Sequence, residues 1–193
     1  MLTDLAKSND VVGSTVAANG GAQDALSAKG YYTVVCHDKD GNLKWEARSD
    51  NLVVNVGLQD MNAKYFTGSG YTAAFYLGLY GAASSNNPAA SDTMSSHAGW
   101  TEVTAYSQST RPACSFGTPT TANPSVATNS GSPATFSING TTTVGGAFLT
   151  TNSTKGGTTG TLFSAADFQS PGDRSVVNGD TLTVTYTFSL TAT

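Results

Sequence analysis

The last strand of the chain constrains its fold more than any other segment. From Thr181 to Leu190 large apolar residues alternate strictly with small polar ones: Leu182, Val184, Tyr186, Phe188 and Leu190 fall on one face, threonines and Ser189 on the other. Ten residues of unbroken period two describe a strand with one buried and one wetted face, and a one-residue slip would expose all five apolar groups. Such a strand needs a second layer to cover it. Asn178-Gly179-Asp180 turns the chain into it.

The segments upstream agree. Tyr31 to His37 is rich in β-branched and aromatic residues, Asp38-Lys39-Asp40-Gly41-Asn42 carries an Asp-Gly turn, and Leu43 to Arg48 alternates as a return strand. Further short strands are expected at Tyr71–Tyr80, Thr101–Tyr106, Ala113–Phe116, Ala134–Ile138, Val144–Thr150 and Thr161–Phe163, with Asn139-Gly140 closing a hairpin between Ala134–Ile138 and Val144–Thr150. One helix is expected from Asn55 to Phe66, capped by Asn55 and ended by Gly68-Ser69-Gly70. Its Leu58, Met61, Asn62, Tyr65 and Phe66 follow helical spacing, which predicts packing of that stripe on a sheet. The fold class is therefore all-β: an antiparallel β-sandwich, jelly-roll-like or immunoglobulin-like, with one packed helix.

Residues 1–29 differ from this pattern. They are small, polar and glycine-punctuated, and their apolar groups are scattered. Such a stretch cannot bury enough surface to offset an ordering cost of about 1–2 kcal/mol per residue. It reads as an extended N-terminal arm before a sandwich domain of residues 30–193. Leu2, Leu5, Val11 and Val12 are its candidate contacts with a partner; burial on the arm's own domain is the competing expectation.

Composition narrows the function. The 193 residues carry a net charge of −4, and only 11% are charged, against about 25% in ordinary domains. Serine and threonine supply about a quarter of the chain. An acidic chain lacks the basic footprint of a nucleic-acid binder. The longest apolar run, Ala73 to Tyr80, is far short of the roughly 20 residues that cross a bilayer. The opening residues do not read as a signal peptide, and Cys36 and Cys114 suit a reducing site of synthesis.

No catalytic, cofactor or metal site is expected. Asp38 to Asn42 resembles the start of a calcium loop, but its glycine is fourth and position twelve is Ser49. The histidines, His37 and His97, and the two cysteines lack zinc spacing. Ser153 to Thr158 is glycine-rich without the phosphate-loop pattern and reads as a mobile hairpin loop. Glu46 and Glu102 are the only glutamates, and no nucleophile–base motif is present. Tyr71, Tyr76, Tyr80, Trp100 and Tyr106 are candidates for stacking on sugars, although strand aromatics are more often core.

Several ordered motifs carry a family resemblance. They are Asp38-Lys39-Asp40-Gly41-Asn42-Leu43-Lys44-Trp45, Asn51 to Leu58, Ala73 to Gly81, Asp92 to Glu102, Thr110-Arg111-Pro112, Val144 to Leu149 and Val177 to Val184. Together the chain from Tyr31 to Leu190 resembles a family of virion structural proteins of tailed bacteriophages. The resemblance implies a capsid decoration, or cement, protein on the virion surface, made in the host bacterial cytoplasm. Its implied partner is the major capsid protein, and it would form a homo-oligomer, a trimer or dimer, without nucleic acid or membrane. A tail, adaptor or fibre component, with carbohydrate binding as a further option, is the second reading.

Overall fold

A computed structural model describes residues 26–70, 74–81, 87–168 and 172–192. In chain order these form β1 (Leu26–His37), β2 (Leu43–Asp50), β3 (Leu52–Val53), α1 (Asn55–Phe66), β4 (Tyr76–Tyr80) and β5 (Ser125–Thr128), followed by β6 (Ala134–Ser137), β7 (Thr142–Val144), β8 (Gly146–Thr150), β9 (Leu162–Asp167), β10 (Arg174–Val176) and β11 (Thr181–Ala192). The protein is an all-β sandwich with a single helix among the described residues. One sheet runs β2-β1-β11-β5, with β6 also paired to β11; the other runs β3-β9-β8-β4; β7 and β10 form a small separate ladder. The strand pairings are antiparallel.

The alternation of the last strand sets the inner face of the first sheet. Leu182, Val184 and Tyr186 are fully buried, while Phe188 and Leu190, on the same face, are half-buried. They pair across to Cys36, Val34, Tyr32, Gly30 and Ala28 of β1. This layer packs on Leu77, Leu79, Ala147, Leu149 and Phe163 of the second sheet in one core. Between the layers Tyr32 Oη lies 2.7 Å from Ser164 Oγ, and Asn51 Nδ2 donates to Tyr186 Oη at 2.9 Å. These bonds satisfy hydroxyls whose unpaired burial would be costly. Asn129, fully buried, fills the gap between β5 and β6: its Oδ1 accepts from Tyr186 N at 2.7 Å and its Nδ2 donates to the Val184 carbonyl at 3.3 Å.

Several boundaries differ from the sequence expectations. β1 starts at Leu26, not Tyr31, so residues 26–29 of the expected arm belong to the sheet. Thr101–Tyr106 and Ala113–Phe116 form only isolated bridges, Glu102 to Tyr80, Tyr106 to Ile138 and Ala113 to Tyr76. β3, β5 and β10 were not expected. Asn139-Gly140 closes no hairpin, because β6 pairs with β11 while β7 pairs with β10. The stretch Val144–Thr150 divides at Gly145, whose N–H donates to the Tyr80 carbonyl and whose carbonyl accepts from Phe168.

The helix has the expected bounds but a different start. Val54 is its N-cap, with no side-chain cap bond, and Asn55 is already helical, with its N–H donating to the Ala90 carbonyl. At the other end Thr67 and Ser69 both donate to the Ala63 carbonyl, and Gly68 adopts φ 69°. That left-handed residue after the last turn is the usual glycine stop.

Candidate interaction surface

Helix α1 presents the most exposed large apolar side chains of the described residues. Only Gly57 of the helix is fully buried. A Cβ there would lie 2.3 Å from the Phe163 carbonyl oxygen, so the helix sits on β9 at backbone contact. That approach fixes the rotation of the helix. Residues 57, 60, 61 and 64 turn toward the sandwich, Met61 packs at the edge of the core, and Asp60 and Lys64 pair at 3.4 Å. The expected inward stripe is thereby rotated outward by one residue, roughly 100°. Leu58 is 42% exposed, Tyr65 84% and Phe66 76%. Tyr65 and Phe66 meet edge to face with centroids 4.9 Å apart. Packing of the stripe on a sheet is thus corrected: among those residues, only Met61 packs inward.

The other candidates are placed as follows. Leu2, Leu5, Val11 and Val12 lie outside the described residues, and so does Tyr71. Tyr80, Trp100 and Tyr106 are buried, so their faces are not open to a sugar, and Tyr76 is half-buried. Trp100 is wedged among Tyr80, His97 and Phe148, and its Nε1 donates to Asp92 Oδ2 at 3.0 Å. Asp38 is engaged by its own turn: Oδ1 accepts from the N–H groups of Asp40 at 2.9 Å and Asn42 at 2.8 Å, and Asn42 Nδ2 reaches Oδ2 at 3.0 Å. The bonds from Asn42 hold its carboxyl below the usual carboxylate range. The segment is a hairpin turn, with Gly41 at φ 84°.

A buried ionic group anchors the loop between β8 and β9, and no local pattern announces it. The Arg111 side chain is fully buried and Glu102 is 8% exposed. Arg111 Nε and Nη2 grip the two oxygens of Glu102 at 2.9 and 2.7 Å. Its Nη1 donates to the Asn152 carbonyl at 2.9 Å, and Nη2 also donates to the Gly157 carbonyl at 2.7 Å. Glu102 Oε2 in turn accepts from Gly156 N–H at 2.9 Å. Lys155 Nζ donates to the carbonyls of Tyr106 and Gln108 at 2.9 and 2.7 Å. The glycine-rich loop does join the paired strands β8 and β9, but it is pinned at several points instead of being mobile. The cause is the carbonyl-rich loop backbone, which supplies the acceptors that a buried guanidinium requires.

The titratable groups in the core are tuned by burial. Burial pushes the Cys36 thiol up to about 11, with Asp180 adding, and the Cys114 thiol up to about 12. Burial also raises Tyr32, Tyr80, Tyr106 and Tyr186. Asp167 is raised by burial and by Asp173, against a lowering hydrogen bond from Tyr80. Among the described residues no three His, Cys, Asp or Glu side chains come together to hold a metal ion, and no helix is long and apolar enough to cross a membrane.

No family model, curated protein or solved structure matches the chain.

Proposed function

We propose that the protein is a structural component of a tailed-bacteriophage virion, a capsid decoration protein that docks on the major capsid shell and stabilises it as a dimer or trimer. The outward stripe of α1 carries this reading. A tyrosine and a phenylalanine standing side by side in solvent, about two turns from an exposed leucine, form the kind of apolar ridge that marks a protein–protein contact. The motifs that resemble the virion family supply the class of partner. They lie at structural positions: the β1–β2 turn, the entry to α1, the β7–β8 stretch and the turn into β11. Two of them contribute Glu102 and Arg111, the buried pair. A sandwich stiffened in this way suits a protein whose task is to hold other subunits in place.

Burying an aromatic side chain contributes about 1.5–3 kcal/mol. Several copies bridging neighbouring shell subunits gain further through effective concentration. The test uses particles lacking the protein. Tyr65→Ser with Phe66→Ser should leave thermal unfolding nearly unchanged, within about 0.5 kcal/mol, because both positions are exposed. Binding to the shells should weaken by about 3–6 kcal/mol, roughly a hundredfold to ten-thousandfold. Unchanged occupancy would reject the ridge as the docking surface. A copy number set by one ring at the neck or tail, instead of by the subunits of the shell, would favour the tail, adaptor or fibre reading.

A further inference from the structure

Where the two large sheets part, a groove of about 630 Å³ opens beside the core. Its walls include Met61 of α1, Phe75, Phe116, Ala127 of β5, Phe163 and Phe188. The Phe75 ring stands edge-on to Phe116 and to Phe163, each at 5.8 Å, and Phe163 meets Phe188 at 5.6 Å. Phe75, Phe116 and Phe188 are only half-buried. The groove is therefore aromatic, open and incompletely filled.

Beside it the inner face of the first sheet runs on toward Leu26 through half-buried Gly30, Ala28 and Leu190, with Asn51 and the Tyr186 hydroxyl lying over Gly30. Phe188 pairs with Gly30, Leu190 with Ala28 and Ala192 with Leu26. Directly paired residues of a ladder share one face, so this row extends the inner face. Leu26, at its end, is 71% exposed. Residues 1–25 join the sandwich at this same Leu26. From Leu26 to the level of Phe188 is four residues along β1, about 13 Å at roughly 3.3 Å per residue.

The sequence before Leu26 matches that span. Residues 17–25 are Ala, Asn, Gly, Gln and Asp alone. Ten residues of such a chain, from Val16 to Leu26, have a root-mean-square end-to-end length of about 17 Å. Effective concentration is greatest when tether length and span agree, and reaches the millimolar range for short tethers. The stretch that the tether delivers, Val11-Val12-Gly13-Ser14-Thr15-Val16, is uncharged and carries three valines. We propose that the groove is the seat of the chain's own N-terminal segment, with Val11, Val12 and Val16 packed against Phe116 and Phe188. This assigns Val11 and Val12 to the chain's own domain and not to a neighbouring subunit, independently of what α1 binds.

The test places a photo-crosslinking residue in the full chain, Val12→p-benzoyl-phenylalanine, and mixes equal amounts of light and ¹⁵N-labelled protein before irradiation. The expected crosslinks join position 12 to peptides carrying Phe116 or Phe188, within a single isotope form. Light–heavy crosslinks as frequent as chance mixing gives would overturn the proposal and make a second copy the occupant. Crosslinks absent from the groove peptides, with the probe at position 12 and again at position 16, would also overturn it. Val11→Asp with Val12→Asp, in the full chain, should raise the fluorescence of an added apolar dye as the groove opens; no rise would count against the seat.

Discussion

Replacing Arg111 with methionine tests how much of the sandwich rests on its one buried ion pair among the described residues. Methionine retains much of the side-chain volume, so the loss is chiefly that of the guanidinium. Glu102 would lose both bonds to Arg111 and keep only the N–H of Gly156, while the carbonyls of Asn152 and Gly157 would lose their charged donor. Adding four charge-assisted bonds at about 1.5–3 kcal/mol each overstates the effect, since the bonds share one cation and the loop carbonyls can recover water. The better guide is the removal of one member of a buried pair, about 3–5 kcal/mol, because it counts the carboxylate left behind. At about 2–4 °C per kcal/mol for a chain of this size, the midpoint should fall by roughly 6–20 °C.

Calorimetry gives that shift, and hydrogen exchange locates it. The amides of residues 151–160 should lose protection before those of β1 and β11, because Arg111 ties that loop down. The decisive comparison is Arg111→Met with Glu102→Met. Replacing both partners by apolar groups removes the stranded charge, so the double variant should be more stable than Arg111→Met alone. A single variant within 1 kcal/mol of the wild type, or a double variant as unstable as the two singles summed, would refute the reasoning.

Gly57→Ala should destabilise by about 1–3 kcal/mol in thermal or urea unfolding, because the new methyl overpacks against the Phe163 carbonyl; the propensity gain of about 1 kcal/mol for alanine in a helix would otherwise make it stabilising. Tyr186→Ala should cost about 3–5 kcal/mol, and Phe188→Ala clearly less, since Tyr186 is fully buried and Phe188 only half-buried. Asp167→Asn should raise the unfolding midpoint at pH 7. The carboxyl of Asp167 is raised in the folded protein by burial and by Asp173, so its ionised form is a liability above the folded pKa; the advantage of asparagine should shrink as pH falls through that value toward the unfolded one.

The parts of the fold legible in the sequence are those set by neighbours in the chain. The alternation of Leu182 to Leu190 gives the inner face of β11 without further information. The Asp-Gly turn and its flanking strands give the β1–β2 hairpin, and Gly68 marks the end of α1 by its need for a left-handed backbone. The misassigned parts depend on distant pairing. Ser125–Thr128 and Arg174–Val176 are too short for any period to stand out, and become strands only because β11 and β7 offer them an edge. Asn139-Gly140 has hairpin chemistry, but Phe136 before it is taken up by Leu182 of β11. The chain must then leave that sheet to form β7.

The candidate surface was half legible for the same reason. Helical spacing identified Leu58, Met61, Tyr65 and Phe66 as a stripe; it cannot say which side of the helix the domain covers. That was decided by Gly57, whose lack of a side chain lets the helix approach a carbonyl of β9 from a far part of the chain. The closest approach goes to the smallest residue, and the large apolar groups one position further on are turned away from the core. The ion pair lay deeper still. Glu102 and Arg111 are nine residues apart on no shared helix, and their acceptors come from a loop after β8. Their one signal is scarcity. In a chain with only 11% charged residues, a surface of serine and threonine needs few charges for solvation, so an arginine and one of two glutamates set amid strand-like sequence are more readily spent inside. The charge-poor exterior and the charged interior are in that sense one feature: hydroxyls hydrate the outside, and the buried fork clamps the loop, while on α1 the charges of Asp60 and Lys64 pair with each other beside the apolar ridge.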